Sequence, residues 1–410
     1  MSHTASPPNW LYINPANRHV KLDVREQAFI QNPYKAYAHF HKMGGPGFWE
    51  DYGFWCFANY NDVNNLLRDK RFGREVPGHL RPASRPHLEW FDRVEKQSLL
   101  ELEPPEHTRL RRFVNRAFVS SQIERLRPEI ETLCHDLIDG FESVAEFDLI
   151  KAYATPIPLR VISSLMGVPQ SLEPMLLDWS HAMCKLYTLK ASPAEEAAAN
   201  AACRDFHAVL LQVIALKKAN PTDDLLSTLA TSGMNDDEII STAVLLINAG
   251  HEATVHQTGN AVKVLLDPEF PTRRALIDLH SPAEIVEEAL RFEAPLHLFT
   301  RFATEDVDFG HGVLIKQHDQ IGLLLGAANR DPAAFVNADQ YIPGRTDQKN
   351  VSFGAGIHFC IGAPLARMEL SISMKTLFER LPNMRLSGVP RFADSYHFHG
   401  LETLIVSPKG

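Results

Sequence analysis

Of all the residues in this sequence, Cys360 has the neighbouring residues that most clearly suggest a reactive or metal-binding side chain. It lies in the segment SFGAGIHFCIGAPLARMEL, where Gly354, Gly356 and Gly362 surround it and an apolar helical pattern follows. Glycine permits φ > 0 and lets the backbone approach a flat group closely, and amides at the start of a helix favour thiolate over thiol. The segment predicts a thiolate beside a flat prosthetic group or, on the plainer interpretation, a buried cysteine in a glycine-rich turn.

A second candidate is the carboxylate of Glu252, in the stretch LLINAGHEATVHQTGN. A carboxylate inside a helix can relay protons from solvent to a reacting group. Gly250 follows Ala249 in the same helical pattern, although a glycine inside a helix lowers its stability by about 1 kcal/mol relative to alanine. A need for space beside the helix for a small molecule would explain why glycine is present. Thr254 adds a hydroxyl, which either takes part in chemistry or bonds back to a carbonyl one turn earlier.

Two pairs of polar residues are spaced by about one helical turn. Glu288 and Arg291 are three residues apart, and such pairs are usually solvated ion pairs worth a few tenths of a kcal/mol. His107 and Arg111 are four residues apart near the start of another helix. They can hold one anionic group from two sides, or they can line an exposed helix face.

The composition is that of an ordinary globular chain. Of 410 residues, 45% are hydrophobic and 22% are charged, and the net charge of -9 argues against a dedicated nucleic-acid binder. No apolar run before about residue 32 is suited to a signal or an anchor. The 5 cysteines are dispersed, and the four other than Cys360 are interpreted as small buried apolar residues. We expect a cytoplasmic protein, neither secreted nor membrane-anchored.

The periodicity predicts a mainly α fold with a small β portion. Its longest helix begins after Asn235, with Glu238 completing a capping box, and runs to Leu266, which at 1.5 Å per residue spans roughly 50 Å. The other predictions are a hairpin at 46–58, a helix at 61–69, an irregular loop at 71–100, stacked helices over 105–220 with breaks near 120, 168 and 192, a helix at 282–292, strands at 296–325, a helix after residue 360 and a strand-like tail from 394. We expect one domain over residues 1–410, with a less ordered segment at 1–31.

The pattern FGxGxHxCxG around Cys360 resembles the haem-ligand signature of the cytochrome P-450 family. The Glu288 and Arg291 pair precedes it in the order typical of that family, with NRDPAAF and QYIPGR between, and the resemblance runs from about residue 32 to the end. It implies the cytochrome P-450 fold, with the long helix over haem b and Cys360 as the axial iron ligand. It also implies that Glu288, Arg291 and Arg345 form a buried structural network behind the cysteine.

The resemblance further implies a set of cofactor-binding residues. His107, Arg111, Arg301 and His358 would reach the haem propionates. The whole set is His107, Arg111, Ala249, Gly250, Arg301, Phe353, Gly354, His358, Cys360 and Gly362.

The long helix departs from the family pattern (A/G)Gx(D/E)T. Ala253 stands where threonine is usual, and Thr254 comes one residue later, about 100° around the helix. Either Thr254 reaches the oxygen site through local distortion, or an ordered water or a substrate hydroxyl takes that role. Glu252 and Thr254 are the catalytic candidates. His251 and His256 are interpreted as packed or surface residues, because the iron already has its protein ligand.

The activity that the resemblance implies is a monooxygenase that inserts one oxygen atom from O2 into a small, partly apolar organic substrate. Electrons come from NAD(P)H through ferredoxin reductase and ferredoxin. The basic run formed by Arg109, Arg111, Arg112 and Arg116 is either a solvated helix face or a docking site for an acidic ferredoxin.

The predicted substrate pocket combines apolar side chains with His297 and Asn248 as polar anchors. Its lining is the 75–100 loop together with Val244, Ile247, Asn248, Leu296, His297, Leu298, Phe299 and Leu401. Two other functions stay open: a peroxide-driven oxygenase or nitric oxide reductase on the same fold, which Ala253 favours and Glu252 opposes, and a non-catalytic haem sensor or carrier.

Overall fold

The longest helix of the protein, Asp236–Leu265, is called the central helix below. It appears in a computed structural model that describes residues 7–81, 85–118, 120–187, 191–310 and 312–409. The Asn235 side chain accepts from the Glu238 amide and the Glu238 carboxylate accepts from the Asn235 amide, which confirms the predicted capping box. Its 30 residues span about 45 Å. Most of its side chains are buried, and the buried ones lie on all faces of the helix, as expected when other helices surround it.

Helices make up most of the structure. The central helix packs against Pro156–Met166, Pro193–Ala219, Pro282–Phe292 and Ala363–Arg380. The remaining α-helices are Gln27–Gln31, Tyr34–Lys42, Tyr60–Leu66, Glu89–Glu95, Glu106–Ala117, Ser120–Glu124, Arg127–Asp139, Glu173–Cys184, Leu225–Ala230, Thr272–Leu279 and Leu325–Ala328. Single turns of tighter or wider helix occur at Gly78–Leu80, Pro86–Leu88, Ile150–Ala154, Gln170–Leu172, Lys185–Tyr187 and Gly356–His358.

Within the described residues, the β portion is one larger sheet and three small ones. The larger sheet has the strand order Tyr12–Asn14, His19–Lys21, Gly47–Trp49, Phe54–Phe57, Gln320–Leu324, Leu298–Ala303 and Phe72–Gly73. Its pairings are antiparallel except for those of the second strand with the third and of the fourth with the fifth. The small sheets pair Arg385–Leu386, Ile405–Ser407 and Phe147–Asp148, then Arg391–Phe392 with Leu401–Thr403, and Val307–Asp308 with Leu314–Ile315.

The predicted fold class is confirmed, and so are most long elements. The hairpin, the helix Tyr60–Leu66, the helix Pro282–Phe292, the helix Ala363–Arg380 and the strands of the tail are present. The prediction of an irregular loop over 71–100 was wrong in part, because the helix Glu89–Glu95 and the short strand Phe72–Gly73 lie there, while residues 82–84 of that loop lie outside the described residues. The sequence also gave no sign of the two strands and the helix that precede residue 32.

The buried apolar side chains of the described residues form three clusters. The largest surrounds the central helix, a second lies between the helix Tyr60–Leu66 and the strand Gln320–Leu324, and the third lies against the amino-terminal strands and helices. The segment that carries Cys360 joins the second cluster through Val351 and Ala355. In the part of the chain that the structure describes, no helix is both long enough and apolar enough to cross a membrane.

Candidate active site

Residues 351–362, called the cysteine loop, lead into the helix Ala363–Arg380. The amide of Cys360 donates to the carbonyl of Phe353 across the loop at 3.0 Å. Gly354 and Gly356 have φ values of 67° and 72°, in the region that favours glycine. At Gly356 a Cβ atom would also lie 2.3 Å from the carbonyl oxygen of Leu67, so no other residue fits there. Gly362 differs from the expectation, because its φ of -79° suits any residue at the start of a helix.

The Cys360 sulfur is held among groups that favour negative charge. Burial raises the pKa of the Cys360 thiol, while the backbone amides of Gly362 and Ala363 and the guanidinium groups of Arg111 and Arg367 act in the opposite direction. Both amides belong to the first turn of the following helix, whose dipole adds to the effect. The predicted approach of helix-start amides to the sulfur is therefore present, and a coordinated metal ion would complete the deprotonation.

The network expected behind the cysteine is also present. Glu288 accepts two bonds from Arg291, at 2.7 and 2.8 Å, and one from the Nε of Arg345 at 3.0 Å. Glu288 and Arg291 are only 3% and 2% exposed. Arg291 also donates to the carbonyls of Asn329, Ala338 and Gln340. Since every buried charge has a partner, this is a structural network rather than a surface ion pair.

Asn329 connects this network to the cysteine loop. Its backbone oxygen accepts from Arg291, while its side chain accepts from the amide of Val351 and donates to the hydroxyl of Ser352, both at 2.8 Å. Ser352 in turn donates to the carbonyl of Leu290 at 2.6 Å. The start of the loop is thus tied to the helix Pro282–Phe292.

Glu252 lies among three histidines. Its carboxylate is 3.3 Å from Nε2 of His256, 3.5 Å from Nε2 of His251 and 3.7 Å from Nε2 of His181. Burial alone would raise the pKa of Glu252, but the three imidazoles more than offset it and hold the pKa at about 2. The carboxylate is therefore ionised at neutral pH. The side chain of His181 is 53% exposed and links the cluster to solvent.

Comparison with known proteins agrees with this geometry. The Cytochrome P-450 family model matches residues 260–383. The chain is 33% identical to the polyketide biosynthesis cytochrome P-450 PksS of Bacillus subtilis, over 92% of this chain and 96% of that protein. It is 36% identical to the mycinamicin IV hydroxylase/epoxidase of Micromonospora griseorubida, over 82% and 84%.

Solved structures agree as well. The crystal structure of P-450 BioI with an acyl carrier protein ligated to hexadec-9Z-enoic acid has a TM-score of 0.87 at 32% identity, covering 93% of this chain and 99% of that one. The chain belongs to the cytochrome P-450 family. As a member it is a monooxygenase with thiolate-ligated haem, and its reaction requires O2, an organic substrate and an electron donor.

The residues around the cysteine loop fit a haem of this family. His107 is 2% exposed and its Nε2 has no hydrogen-bond partner among the described residues. Arg301 is 3% exposed and donates only to the carbonyl of Thr300 within the described part of the chain. Burial lowers the pKa of His107 to about 4 and that of Arg301 to about 9. A buried imidazole nitrogen without a partner and a buried guanidinium with a single acceptor suit an anionic propionate.

The other two expected propionate donors already have protein partners. His358 lies 3.0 Å from the carboxylate of Glu103, a residue that the sequence analysis did not identify. Arg111 donates to the carbonyl of Phe359. It lines a surface cleft of about 430 Å³ on the cysteine loop, together with Asn115, Phe118, Phe359, Cys360, Ile361 and Pro364.

The central helix is continuous through the region where the cytochrome P-450 pattern is altered. Ala249 is exposed although it lies mid-helix, so an open space lies beside it, and Ala253 one turn later is partly exposed. Thr254 is buried, and its hydroxyl has no hydrogen-bond partner among the described residues. Neither the predicted distortion nor the back-bond of Thr254 is present. Gly250 faces Ile162, which a Cβ atom would approach to 2.8 Å, so close helix packing explains this glycine better than room for dioxygen does.

The structure supports part of the predicted substrate pocket. Leu296 and Phe299 keep some exposed surface. Asn248 donates to the sulfur of Met183 and leaves its Oδ1 buried without a partner in the described residues. The remaining apolar side chains of the predicted pocket are buried: Val244 (1%), Ile247 (0%), Leu298 (5%) and Leu401 (3%).

His297 is not available as a polar anchor. It is fully buried, and its ring nitrogens lie 2.7 Å from the hydroxyl of Tyr37 and 3.1 Å from the carbonyl of Ala294. The partner Tyr37 is 260 residues away in sequence, which is why inspection of the sequence did not reveal it. We therefore leave His297 out of the pocket proposed below.

Proposed function

We propose that this cytochrome P-450 inserts one oxygen atom from O2 into a small, partly apolar organic substrate, with electrons from NAD(P)H delivered by ferredoxin reductase and ferredoxin. The observation that carries the proposal is the position of the Cys360 sulfur, at the start of the helix Ala363–Arg380 and approached by the amides of Gly362 and Ala363. A thiolate in that setting is a haem ligand whose electron donation the amides adjust. We further propose that residues 1–410 act as one domain in the cytoplasm.

In this proposal Cys360 is the iron ligand, and the buried side chains of His107 and Arg301 bind the propionates. When bound, the haem supplies the iron centre at which dioxygen is reduced and one of its oxygen atoms is transferred. The Glu288, Arg291 and Arg345 network fixes the cysteine loop through Asn329. Phe353 and Gly354 would contact the cofactor from the loop, where Gly354 packs against Phe299.

Protons reach the site from the cluster around Glu252. His181 meets solvent, and its Nε2 is 3.7 Å from the Oε2 of Glu252, so a proton can pass from the imidazole to the carboxylate. In this proposal Thr254, whose side chain is buried, takes no direct part in proton delivery. Ala249 and Ala253 border the open space, and an ordered water or a substrate hydroxyl there carries the proton onward.

The face around Arg112 and Arg116 is proposed as the ferredoxin site. Both side chains are exposed and have no ion-pair partner in the described part of the chain, whereas Arg109 is paired with Glu106 and Glu238. The apolar side chains of Ile357 and Phe359, from the cysteine loop, are exposed as well. Positive charge beside an apolar patch near the haem ligand suits an acidic electron carrier.

The relatives suggest the substrate class. One solved relative holds a fatty acyl chain on a carrier protein, and a myxobacterial cytochrome P-450 with a TM-score of 0.86, 30% identical to this chain, holds myristic acid. We propose an aliphatic substrate with a polar end, for which the free Oδ1 of Asn248 is an acceptor. Leu296 and Phe299 supply the apolar wall.

The absorption spectrum of the reduced protein under carbon monoxide tests the assignment. The purified chain is expected to show the red-shifted Soret band of thiolate ligation, and Cys360→Ser is expected to lose that band together with turnover. Cys184→Ser, at another buried cysteine, is the control and keeps both. A histidine-type band in the parent chain, or an unchanged spectrum in Cys360→Ser, would show that the assignment is wrong.

Substrate binding and electron supply are tested separately. Fatty acids and fatty acyl carrier proteins are titrated while the conversion from low-spin to high-spin iron is followed. Turnover is then measured with NADPH, ferredoxin and ferredoxin reductase, and compared with turnover driven by hydrogen peroxide. Product formed only with peroxide would contradict the proposed electron supply and support the peroxide-driven alternative.

A further inference from the structure

Two helices place metal-ligating side chains together at Glu252. His251 and Glu252 are on the central helix, and His181 is in the last turn of the helix Glu173–Cys184. One ligand atom from each residue lies within 4.8 Å of the other two. The proton relay described above needs Glu252 and a single path to solvent, so it leaves the buried ring of His251 unexplained.

The ring of His251 is held as a metal ligand is usually held. It is 0% exposed, and its Nδ1 lies 2.8 Å from the carbonyl oxygen of Ile247. A carbonyl only accepts, so Nδ1 donates to it and Nε2 is the ring nitrogen left for a metal ion. This Nε2 is buried without a hydrogen-bond partner among the described residues, and it points at Glu252, 3.5 Å away. Ligand histidines commonly donate their second ring N–H to a backbone carbonyl in this way.

The spacing of the ligand atoms is suited to a small divalent ion. Tetrahedral zinc with bonds of 2.0–2.1 Å separates its ligands by about 3.3 Å. Oε2 of Glu252 is 3.5 Å from His251 and 3.7 Å from His181, so small side-chain movements would close the site. His256 contacts the other oxygen, Oε1, at 3.3 Å and orients the carboxylate.

We propose that His181, His251 and Glu252 bind a divalent transition-metal ion of the zinc class, with His256 orienting the carboxylate. Two imidazoles and one carboxylate are a typical zinc donor set that leaves a fourth position for water. The ion reaches the site through His181, whose side chain is 53% exposed. Hard ions such as Mg²⁺ and Ca²⁺ prefer oxygen ligands and are excluded by the two nitrogens.

Metal binding at this position inhibits the enzyme, and this part of the inference rests on the proposed function. The ion occupies the carboxylate oxygen that otherwise passes protons. It also ties the helix Glu173–Cys184 to the central helix. Zinc therefore acts as a reversible inhibitor that lowers the turnover number and leaves the haem and its thiolate ligand in place.

Binding is tested on the haem-loaded protein with Zn²⁺ alone. Competition with a metallochromic chelator is expected to show one tight site, and X-ray absorption at the zinc edge, which haem iron does not obscure, is expected to show two imidazoles with additional oxygen. His181→Gln and Glu252→Gln are expected to abolish the tight site, and His256→Gln to weaken it roughly tenfold to a hundredfold. His181→Gln changes an exposed residue, so it tests the site without disturbing the central helix.

The matched control is His87→Gln, because His87 is a half-exposed histidine 3.3 Å from the carboxylate of Glu196. It is expected to bind zinc as the parent does. Absence of tight binding in the parent, or tight binding that survives His181→Gln with two imidazoles still at the metal, would overturn the metal site.

Inhibition is measured by comparing the turnover of each variant with and without Zn²⁺. The parent and His87→Gln are expected to slow severalfold and recover with a chelator, whereas His181→Gln is expected to resist. Tight binding without inhibition would overturn the inhibitory role alone. If no electron donor supports turnover, the proposed function fails while the zinc titration still decides the metal site.

Discussion

Side chains on the open side of the central helix decide how the oxygen site is supplied with protons. Ala249 and Ala253 offer only methyl groups there, and the side chain of Thr254 is buried. A water or substrate hydroxyl in that space is held less firmly than a fixed side-chain hydroxyl would be. Part of the electron flow is therefore expected to end as hydrogen peroxide instead of product.

Ala253→Thr places a hydroxyl on the open side without changing the helix. The fraction of consumed NADPH that appears as product is expected to rise roughly twofold or more, because proton transfer becomes better positioned. Thr254→Ala is the matched control, and it is expected to change this fraction little. The measurement compares NADPH consumed, peroxide released and product formed. A large loss in Thr254→Ala, with no gain in Ala253→Thr, would show that Thr254 reaches the site after all.

Single residues could be predicted where a local motif contains the whole function. The sequence around Cys360 includes the glycines, the helix start and the ligand. Glu288 and Arg291 are only three residues apart, so their pairing is also a local feature. His181 could not be predicted in the same way, because its partners are on a different helix and only the packing brings them together. His297 was misassigned for the same reason, since its partner is a distant tyrosine.

At the scale of elements, the helix Ala363–Arg380 carries a buried carboxylate with no ion-pair partner among the described residues. Glu369 is 2% exposed, and burial raises its pKa to about 8. In the unfolded chain its pKa is about 4.3. Below that pH both states are protonated and the free energy of unfolding is not reduced. As the pH rises towards 8, only the unfolded state loses the proton, so the free energy of unfolding falls.

Glu369→Gln is expected to remove this pH dependence. The variant should lie within about 1 kcal/mol of the parent near pH 5 and gain roughly 2–4 kcal/mol near pH 8, since each unit of pKa difference is worth about 1.4 kcal/mol. Denaturant unfolding of the haem-loaded protein at both pH values measures the difference. Glu379→Gln makes the same change at an exposed position of the same helix. It should not alter the free energy of unfolding at either pH. An equal gain at both pH values would contradict the assignment.

Elements were predictable from the sequence when their ends carried local signals. The capping boxes at Asn235 and Ser281 mark the starts of the central helix and of Pro282–Phe292. The helix Glu89–Glu95 lacks such a signal. The amides of Trp90 and Phe91 donate instead to the side chain of Asn200, at 2.9 and 3.2 Å. A cap supplied by another helix cannot be identified by inspecting the segment itself.

At the scale of the whole molecule, the order of motifs along the chain was enough to predict the fold class, but not which side of each strand faces the site. Leu298 and Phe299 were both expected in the pocket. The strand turns them to opposite faces, so Leu298 packs with the amino-terminal cluster and Phe299 packs on Gly354 of the cysteine loop. This orientation depends on how the sheet is assembled from seven strands that lie between Tyr12 and Leu324 in the sequence, which local periodicity does not specify.

The basic face around Arg112 and Arg116 provides a test of how the molecule receives electrons. If an acidic ferredoxin docks there, Arg112→Ala with Arg116→Ala should slow its reduction of the haem severalfold at low ionic strength, and the difference should shrink at high salt as the charges are screened. Reduction by dithionite should be unaffected, since that small reagent needs no docking site. Arg385→Ala removes an exposed arginine without an ion-pair partner among the described residues, and it serves as the control. Because all these variants leave the cysteine loop unchanged, an equal rate in the double variant and the control would place the ferredoxin on a different face.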